Sequence, residues 1–427
     1  MVTESRRRRN PLAWLAVAAV LVLTAVVMVL LFKPPPRRVV IAAGPAGSPA
    51  YQFAERYRTV MARQGVVLEV LATKGPLDNL AQLRDPAGRA DIGLLSGGTT
   101  SAEDAPGLVS LGTVFYTPIW VFHRGRLPPP GGDWPRDFRV ALGVEGASAG
   151  DLGRLHLAAV GYPADAQAPL ALEPAAAAEA LQQGRVDLVV MVEAWEAQPV
   201  HTLLAAEGVQ IAVMRRVDAH VALYPYLTKL ALPQGVADLV RDRPPTDIVL
   251  MAPKVSLVVR RSVNSAVQYL LLEAATEVHG GAGIFQRAGQ FPAAERGDLV
   301  LSRAAESYYK SGTPFLQRHL PFWIAVALTQ LGLVLLPVVG IAYPLLRGIP
   351  ALYRSWMRYR LNHLYAELKL VETAVAERPA GPHEDLAARL DQLATRATGM
   401  HVTSAYLQTV YFLRQHIDLV RSRLVRS

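Results

Sequence analysis

Two long apolar runs divide the chain into three parts. Residues 12–32 and residues 322–346 contain no charged side chain. A helix rises about 1.5 Å per residue, so about 20 apolar residues cross a hydrocarbon core about 30 Å thick. The first run also lacks the small-residue ending of a cleaved secretion signal. We therefore predict two transmembrane helices, over residues 11–33 and 321–346.

Between the two runs, short β-branched segments alternate with segments rich in Ala and Leu. This βα alternation is typical of a mostly parallel sheet. The ligand crevice of such a sheet lies beyond the carboxyl ends of its strands, where helix amino termini present free N–H groups. Several of these strand ends are rich in Gly, Ser and Thr. The predicted strands cover residues 38–42, 66–71, 91–95, 138–142, 188–192 and 255–259.

After the second run, leucines and valines recur at helical spacing. The stripes lie within residues 361–371, 386–393 and 407–424, and a Pro- and Gly-containing joint lies at 378–382. The pattern predicts two or three amphipathic helices. Their apolar faces need a partner, which is either the same chain, another copy, or another protein bound through residues 351–427.

Charge is distributed unevenly among the three parts. The net charge is +4 over residues 1–33, zero over 34–320 and +5 over 321–427. Lys and Arg beside membrane spans are retained on the cytoplasmic side. We therefore predict a bacterial inner-membrane protein in contact with the lipid bilayer and not with nucleic acid. Its cytoplasmic parts are a basic segment (1–10) and a helical segment (347–427), and residues 34–320 are extracytoplasmic.

Catalytic and metal-binding motifs are scarce. The chain has no cysteine, which excludes disulfides and thiolate chemistry, and its ten histidines show no metal-ligand spacing, so no metal or cofactor is predicted. The GASAG sequence at 146–150 fits the G-x-S-x-G nucleophile elbow. Ser148 with Asp187 and either His220 or His279 would form a serine hydrolase triad. No oxyanion loop accompanies it, so we expect a protein that is not an enzyme and keep hydrolysis as an alternative.

An ordered series of short motifs links the middle segment to a known family. The chain resembles the TAXI-type solute receptors of TRAP transporters, and in particular a membrane-anchored branch with a second, C-terminal span. The motifs are a Gly-containing turn before Tyr51, TKGPLDNL at 73–80, RADIGL at 89–94, FY at 115–116, GRVDLVV at 184–190, YPYL at 224–227, YYKSG at 308–312 and PFLQ at 314–317.

The resemblance implies an α/β, type II periplasmic binding protein fold of two lobes, flanked here by the two transmembrane helices and the C-terminal cytoplasmic helical segment. Lobe one would cover about 38–125 and 248–310, and lobe two about 136–245. The lobes would be joined near 128–132 and 243–247. They would close on a small organic anion, dicarboxylate or amino-acid-like, for uptake or sensing.

The candidate site combines this resemblance with the chemistry of anion binding, which needs N–H donors, hydroxyls and a positive charge. Lys74 is the main cationic candidate, and Glu193 would face the cleft, where a carboxylate can hold an amine. The Gly-poor turns differ from the family pattern, so a membrane scaffold or assembly protein that keeps the fold without a ligand is the alternative. The candidate ligand-binding residues are Gly47, Ser48, Tyr51, Thr73, Lys74, Gly75, Ser96, Gly97, Tyr116, Ser148, Glu193 and Trp195.

Overall fold

The computed structural model consists of two compact units, which are treated separately below. One unit is Lys33–Thr329, here called the lobed unit, and the other includes Gln330–Ser427, here called the helical unit. The residues that the structure describes are 22, 24, 26, 35–128, 134–143, 153–154, 157, 162–163, 168–377, 384–400, 402 and 404–426.

Strands and helices alternate through most of the lobed unit. The strands are β1 (Arg38–Ala42), β2 (Val67–Leu71), β3 (Ile92–Ser96), β4 (Leu108–Tyr116), β5 (Ile119–Arg124), β6 (Val140–Leu142), β7 (Leu170–Ala171), β8 (Leu188–Val192), β9 (Val209–Ile211), β10 (Leu227–Leu232) and β11 (Ile248–Arg260). The helices are α1 (Pro49–Arg63), α2 (Pro76–Arg84), α3 (Pro174–Gln182), α4 (Gln198–Ala205), α5 (Val217–Leu223), α6 (Ser265–His279), α7 (Arg303–Ser311), α8 (Phe315–His319), α9 (Phe322–Glu377), α10 (Glu384–Thr398) and α11 (Leu407–Arg426).

The first lobe is built on a sheet in the order β10-β11-β3-β1-β2, and β4 also pairs with β11. β1 runs parallel to β2 and β3, whereas β11 runs antiparallel to β3 and β4. The apolar faces of α1 and α6 contribute to its core. There the Tyr57 hydroxyl lies 2.7 Å from His279 Nε2. Burial lowers the pKa of His279 to about 3, which keeps the imidazole neutral.

The second lobe is built on a sheet in the order β7-β6-β8-β5-β9. β6 runs parallel to β7 and β8, and β5 runs antiparallel to β8 and β9. The Asp187 carboxylate accepts hydrogen bonds from the backbone N–H and guanidinium of Arg139, at 2.8 to 3.1 Å. Trp120 and Phe122 are fully buried beside α3 and α4. The α/β, two-lobed part of the predicted fold class fits this architecture.

The chain passes between the two lobes after β4 and within β11. β10 and the first half of β11 continue the first sheet, but their apolar side chains pack in the second-lobe core. β4 pairs in the first sheet, and β5, which begins at Ile119, pairs in the second. β11 pairs with β10 up to Pro253 and with β3 from Val255. The Thr117 N–H donates to the Pro253 carbonyl at 3.1 Å, which joins the two crossings. The Pro-rich segment at 243–247, expected from the sequence to be a crossing, instead lies in the β10–β11 loop.

The two predicted transmembrane helices, over residues 11–33 and 321–346, are wrong. Across the described residues, none of the helices is both long enough and apolar enough to span a bilayer. The start of the second run is instead used for packing within the protein, because Phe322, Ala325 and Val326 are buried in or beside the first lobe. Most of the first run lies outside the described residues. The two-span inner-membrane location with cytoplasmic termini rested on these spans and is wrong with them, and the extracytoplasmic placement of residues 34–320 loses its basis.

The helical unit contains the later part of α9 together with α10 and α11. The leucine and valine stripes pack against one another in one apolar cluster. Leu361, Leu390 and Leu413 are among its buried members. The amphipathic faces therefore find at least part of their partner surface within the same chain. The predicted joint at 378–382 lies outside the described residues, and binding of another protein through 351–427 stays a prediction.

Candidate functional site

A cavity of about 550 Å³ opens between the two lobes. It lies at the carboxyl ends of β1, β3, β6 and β8, where the amino termini of four helices also meet. Both lobes contribute to its wall. The lining residues of the first lobe are Ala43, Gly44, Pro45, Ala46, Gly47, Ser48, Pro49, Ala50, Gln52, Lys74, Gly75, Pro76, Asn79, Leu94, Ser96, Phe115 and Val255. The remaining lining residues are Thr117, Gly143, Glu173, Pro174, Ala175, Val192, Glu193, Ala194, Glu196, Ala197, Gln198 and Pro199.

The turn after β1 forms one edge of the cavity. Gly44 and Gly47 have positive φ angles of 92° and 84°, which glycine adopts without steric cost. Ser48 is the N-cap of α1, and its hydroxyl accepts a hydrogen bond from the Tyr51 N–H at 3.3 Å. Pro49 occupies the first helical turn, where its missing N–H costs no hydrogen bond. The start of α1 is thereby held in the cavity wall.

The turn after β2 is tied to the first turn. The Gly44 N–H donates to the Thr73 hydroxyl at 2.9 Å, and the Thr73 N–H donates to the Gly44 carbonyl at 3.0 Å. Gly75, with a φ of 140°, is the N-cap of α2. The Lys74 N–H donates to the Asp78 carboxylate at 3.0 Å, while the Lys74 side chain is exposed. Lys74 is the cationic residue among the described residues of the wall.

Ser96 ends β3 and contributes a buried polar group to the wall. Its side chain is 5% exposed, and its hydroxyl has no hydrogen-bond partner among the described residues. Side chains alternate along a strand, so Ser96 lies on the same face of β3 as Leu94, which also lines the cavity. A buried hydroxyl without a partner is unfavourable by about 1–3 kcal/mol. A polar group bound in the cavity would offer this hydroxyl a partner.

The second lobe contributes three carboxylates. Glu193 follows β8, and its carbonyl accepts a hydrogen bond from the Trp120 indole N–H at 2.9 Å. Burial, together with the nearby Glu173 carboxylate, raises the pKa of Glu193 to about 7. Glu173 is the N-cap of α3, yet its side chain does not cap the helix. Glu196 precedes α4 by two residues. The two walls of the cavity thus differ in charge.

Six of the sequence-predicted site residues line the cavity, and five others that the structure describes do not. Thr73 supports the wall from behind through its bonds to Gly44. Tyr51 packs against the first-lobe core, and Gly97 is covered by the Tyr226 side chain. Ser148 lies outside the described residues. The six that line the cavity are Gly47, Ser48, Lys74, Gly75, Ser96 and Glu193.

Two predicted aromatic residues have structural partners instead. The Tyr116 hydroxyl donates to the Glu295 carboxylate at 2.6 Å, and burial raises the pKa of Tyr116 above its ordinary value. Trp195 packs against Trp120 and Phe285 in the second lobe. Neither side chain is part of the cavity wall.

Several polar residues of the wall are not among the residues predicted from the sequence. Asn79 lies on the buried face of α2, and its amide donates to the Leu94 carbonyl at 2.8 Å. A signal for the second-lobe residues was available, because a proline opens α3 and α4 just as it opens α1 and α2. A proline in the first turn after a predicted strand would have identified these helix starts. The missed residues are Gln52, Asn79, Thr117, Glu173, Glu196 and Gln198.

The residues of the alternative hydrolase triad have other partners. The Asp187 carboxylate is bound to Arg139, and His279 is buried against Phe53 and Tyr57. His220 Nδ1 lies 2.9 Å from the Arg216 carbonyl of its own helix. These three groups therefore have other partners, and Ser148 lies outside the described residues. In the described part of the chain, no three His, Asp or Glu residues converge as metal ligands.

No protein-family model matches the sequence, and no curated protein matches it. The chain is similar to several solved structures. The methionine-binding protein MetQ is 14% identical with a TM-score of 0.33, covering 59% of this chain and 99% of its own. The periplasmic aliphatic sulphonate binding protein SsuA of Escherichia coli is 17% identical with a TM-score of 0.35, covering 71% and 77%. The BvgS VFT2 domain of Bordetella pertussis is 17% identical with a TM-score of 0.34, covering 59% and 90%.

Proposed function

We propose that the lobed unit is a solute receptor that holds a small organic molecule with an anionic group between its two lobes. The observation that carries this proposal is the buried, unpartnered hydroxyl of Ser96 in the wall of a cavity of about 550 Å³. Ligand pockets typically have volumes of about 300–1,000 Å³ and a few convergent polar groups. The cavity meets both conditions.

The first-lobe wall supplies the chemistry for an anion. The amino termini of α1 and α2 carry partial positive charge and free N–H groups, and Lys74 adds a full charge. Ser48 and Ser96 add hydroxyls. The finer assignment, a TAXI-type receptor for a dicarboxylate or an amino-acid-like solute in uptake or sensing, is supported by the ordered motifs in the sequence.

Thermal unfolding of the full chain with a panel of organic acids, sulfonates and amino acids tests the proposal. A ligand that binds only the folded state stabilises it by about 2.7 kcal/mol at a concentration 100 times its Kd. We expect at least one compound to raise the Tm, and Lys74→Ala to weaken its binding about tenfold. Lys229→Ala is the matched control, because Lys229 pairs with Asp218 away from the cavity.

Two results would contradict the proposal in different ways. If no compound of any class raises the Tm, the receptor function fails and the scaffold alternative takes its place. If a compound binds equally well to the parent and to Lys74→Ala, the receptor function stands but the anionic group is bound elsewhere.

A further inference from the structure

We infer that the solute also carries a protonated amine, and that the carboxylates of Glu173, Glu193 and Glu196 receive it. This inference rests on the proposed receptor function and narrows it to zwitterionic, amino-acid-like molecules. Dicarboxylates are then excluded as the main class of ligand.

The three carboxylates are held in the second-lobe wall by two segments, the start of α3 and the connection between β8 and α4. Glu193 directly follows the buried strand β8, and the Trp120 indole anchors its carbonyl. Glu173 and Glu196 stand at the starts of α3 and α4. All three line the same cavity, although Glu173 precedes Glu193 and Glu196 by 20 residues or more. The wall thus brings together negative charge from two segments of the chain.

These carboxylates have no ion-pair partner among the described residues. Some acidic residues elsewhere in the lobed unit do form ion pairs. Glu69 pairs with Arg38 and Arg89, and Asp187 pairs with Arg139 at 2.9 Å. Glu193 is half-buried, whereas Glu173 and Glu196 are exposed. Partial burial of the Glu193 carboxylate is unfavourable unless a positive charge approaches it. A ligand amine is a group of the right charge for this wall.

The opposite wall gives the independent observation that a ligand belongs in the cavity. Ser96 is 95% buried with an unpartnered hydroxyl, and Lys74 and the starts of α1 and α2 add positive charge on the same side. One wall therefore favours a carboxylate and the other an ammonium group. A second carboxylate, as in a dicarboxylate, would meet the like charges of Glu173, Glu193 and Glu196.

The test compares matched compounds by isothermal titration calorimetry on the full chain. The probes are the proteinogenic L-amino acids, the N-acetyl derivative of each one that binds, and the dicarboxylates succinate, glutarate and 2-oxoglutarate. N-acetylation removes the positive charge and leaves the carboxylate. We expect an amino acid to bind, and its N-acetyl derivative to bind at least about tenfold more weakly, as for loss of one partner of an enclosed charge pair.

Variants then assign this effect to the acidic wall. Glu193→Gln should weaken the free amino acid at least about tenfold and leave the N-acetyl derivative almost unchanged, because the two changes remove the same interaction. Glu173→Gln should act in the same direction, which guards against a folding defect in one variant. Glu179→Gln is the control, because Glu179 lies on α3 outside the cavity wall and accepts a hydrogen bond from Gln183.

The outcomes separate this inference from the proposed function. If a dicarboxylate or an N-acetyl amino acid binds as tightly as any amino acid, or if Glu193→Gln leaves amino-acid binding unchanged, the inference is overturned and the receptor function stands. If no compound of any class binds, the receptor function fails and the inference fails with it.

Discussion

Replacing Ser96 with alanine should stabilise the protein in the absence of ligand. The Ser96 side chain is 5% exposed and its hydroxyl has no partner among the described residues. A buried polar group left unsatisfied costs about 1–3 kcal/mol, and Ser96→Ala removes that group and adds no volume. We expect the free energy of unfolding to rise by about 1 kcal/mol. For a domain of this size, the Tm would rise by about 2 °C.

Ser110 offers a matched control on the neighbouring part of the same lobe. It is 4% exposed, but its hydroxyl accepts a hydrogen bond from the Gly112 N–H at 2.9 Å. Ser110→Ala leaves that donor without this partner and should lower the free energy of unfolding by about 1–2 kcal/mol. The two serine variants should therefore shift stability in opposite directions.

Equilibrium unfolding of the full chain in urea, followed by circular dichroism without added solute, measures both effects. A change in midpoint at constant m-value reports stability alone. Ligand affinity should change in the opposite sense, because Ser96→Ala removes a group that we assign to the solute. If Ser96→Ala destabilises the protein as much as Ser110→Ala does, the Ser96 hydroxyl is already satisfied in the free protein, and the main support for the solute site is lost.

Three further predictions concern stability. Gly112→Ala should destabilise the lobed unit by about 3 kcal/mol or more in urea unfolding, because the residue has a φ of 117° and an added methyl would lie 2.7 Å from a carbonyl oxygen. Gly107→Ala is the control, and it should have little effect because the space around Gly107 is open. The pKa of Glu193 is raised to about 7 from its ordinary 4.5, so the folded state keeps a proton that the unfolded chain releases. The free energy of unfolding should therefore fall by at most about 3 kcal/mol as the pH rises from about 4.5 to 7, and a pH series on Glu193→Gln that keeps the full slope would refute this assignment. Leu390→Ala, at a fully buried position in the helical unit, should lower the free energy of unfolding by about 2–5 kcal/mol. Thermal or urea unfolding followed by the helical circular dichroism signal measures this loss. An equal loss from Leu370→Ala, at a position that is 72% exposed, would contradict the packing of the helical unit.

Local periodicity determined much of the secondary structure. The predicted strands at 38–42 and 188–192 coincide with β1 and β8, and the stripes at 386–393 and 407–424 fall on α10 and α11. These elements are readable because side chains alternate along a strand and recur every three or four residues along a helix. Whether the apolar run at 322–346 packs against protein or against lipid could not be predicted from the sequence. Hydropathy is the same for a surface that meets lipid and for one, like that of Phe322, that packs into a protein core.

Some residues of the site were likewise predictable from the sequence, and others depended on tertiary packing. Lys74 follows β2 and Ser96 ends β3, and both reach the cavity because the carboxyl ends of parallel strands meet at one edge of the sheet. The order of strands and turns in the sequence was enough to predict this. Tyr116 ends β4 and Trp195 follows β8, yet both pack elsewhere, because side-chain direction at a strand end depends on neighbours far along the chain. Glu173 joins the wall only through the packing of α3. The sequence by itself therefore determined which segments border the cavity, and tertiary packing alone decided which side chains face it and brought the carboxylates together.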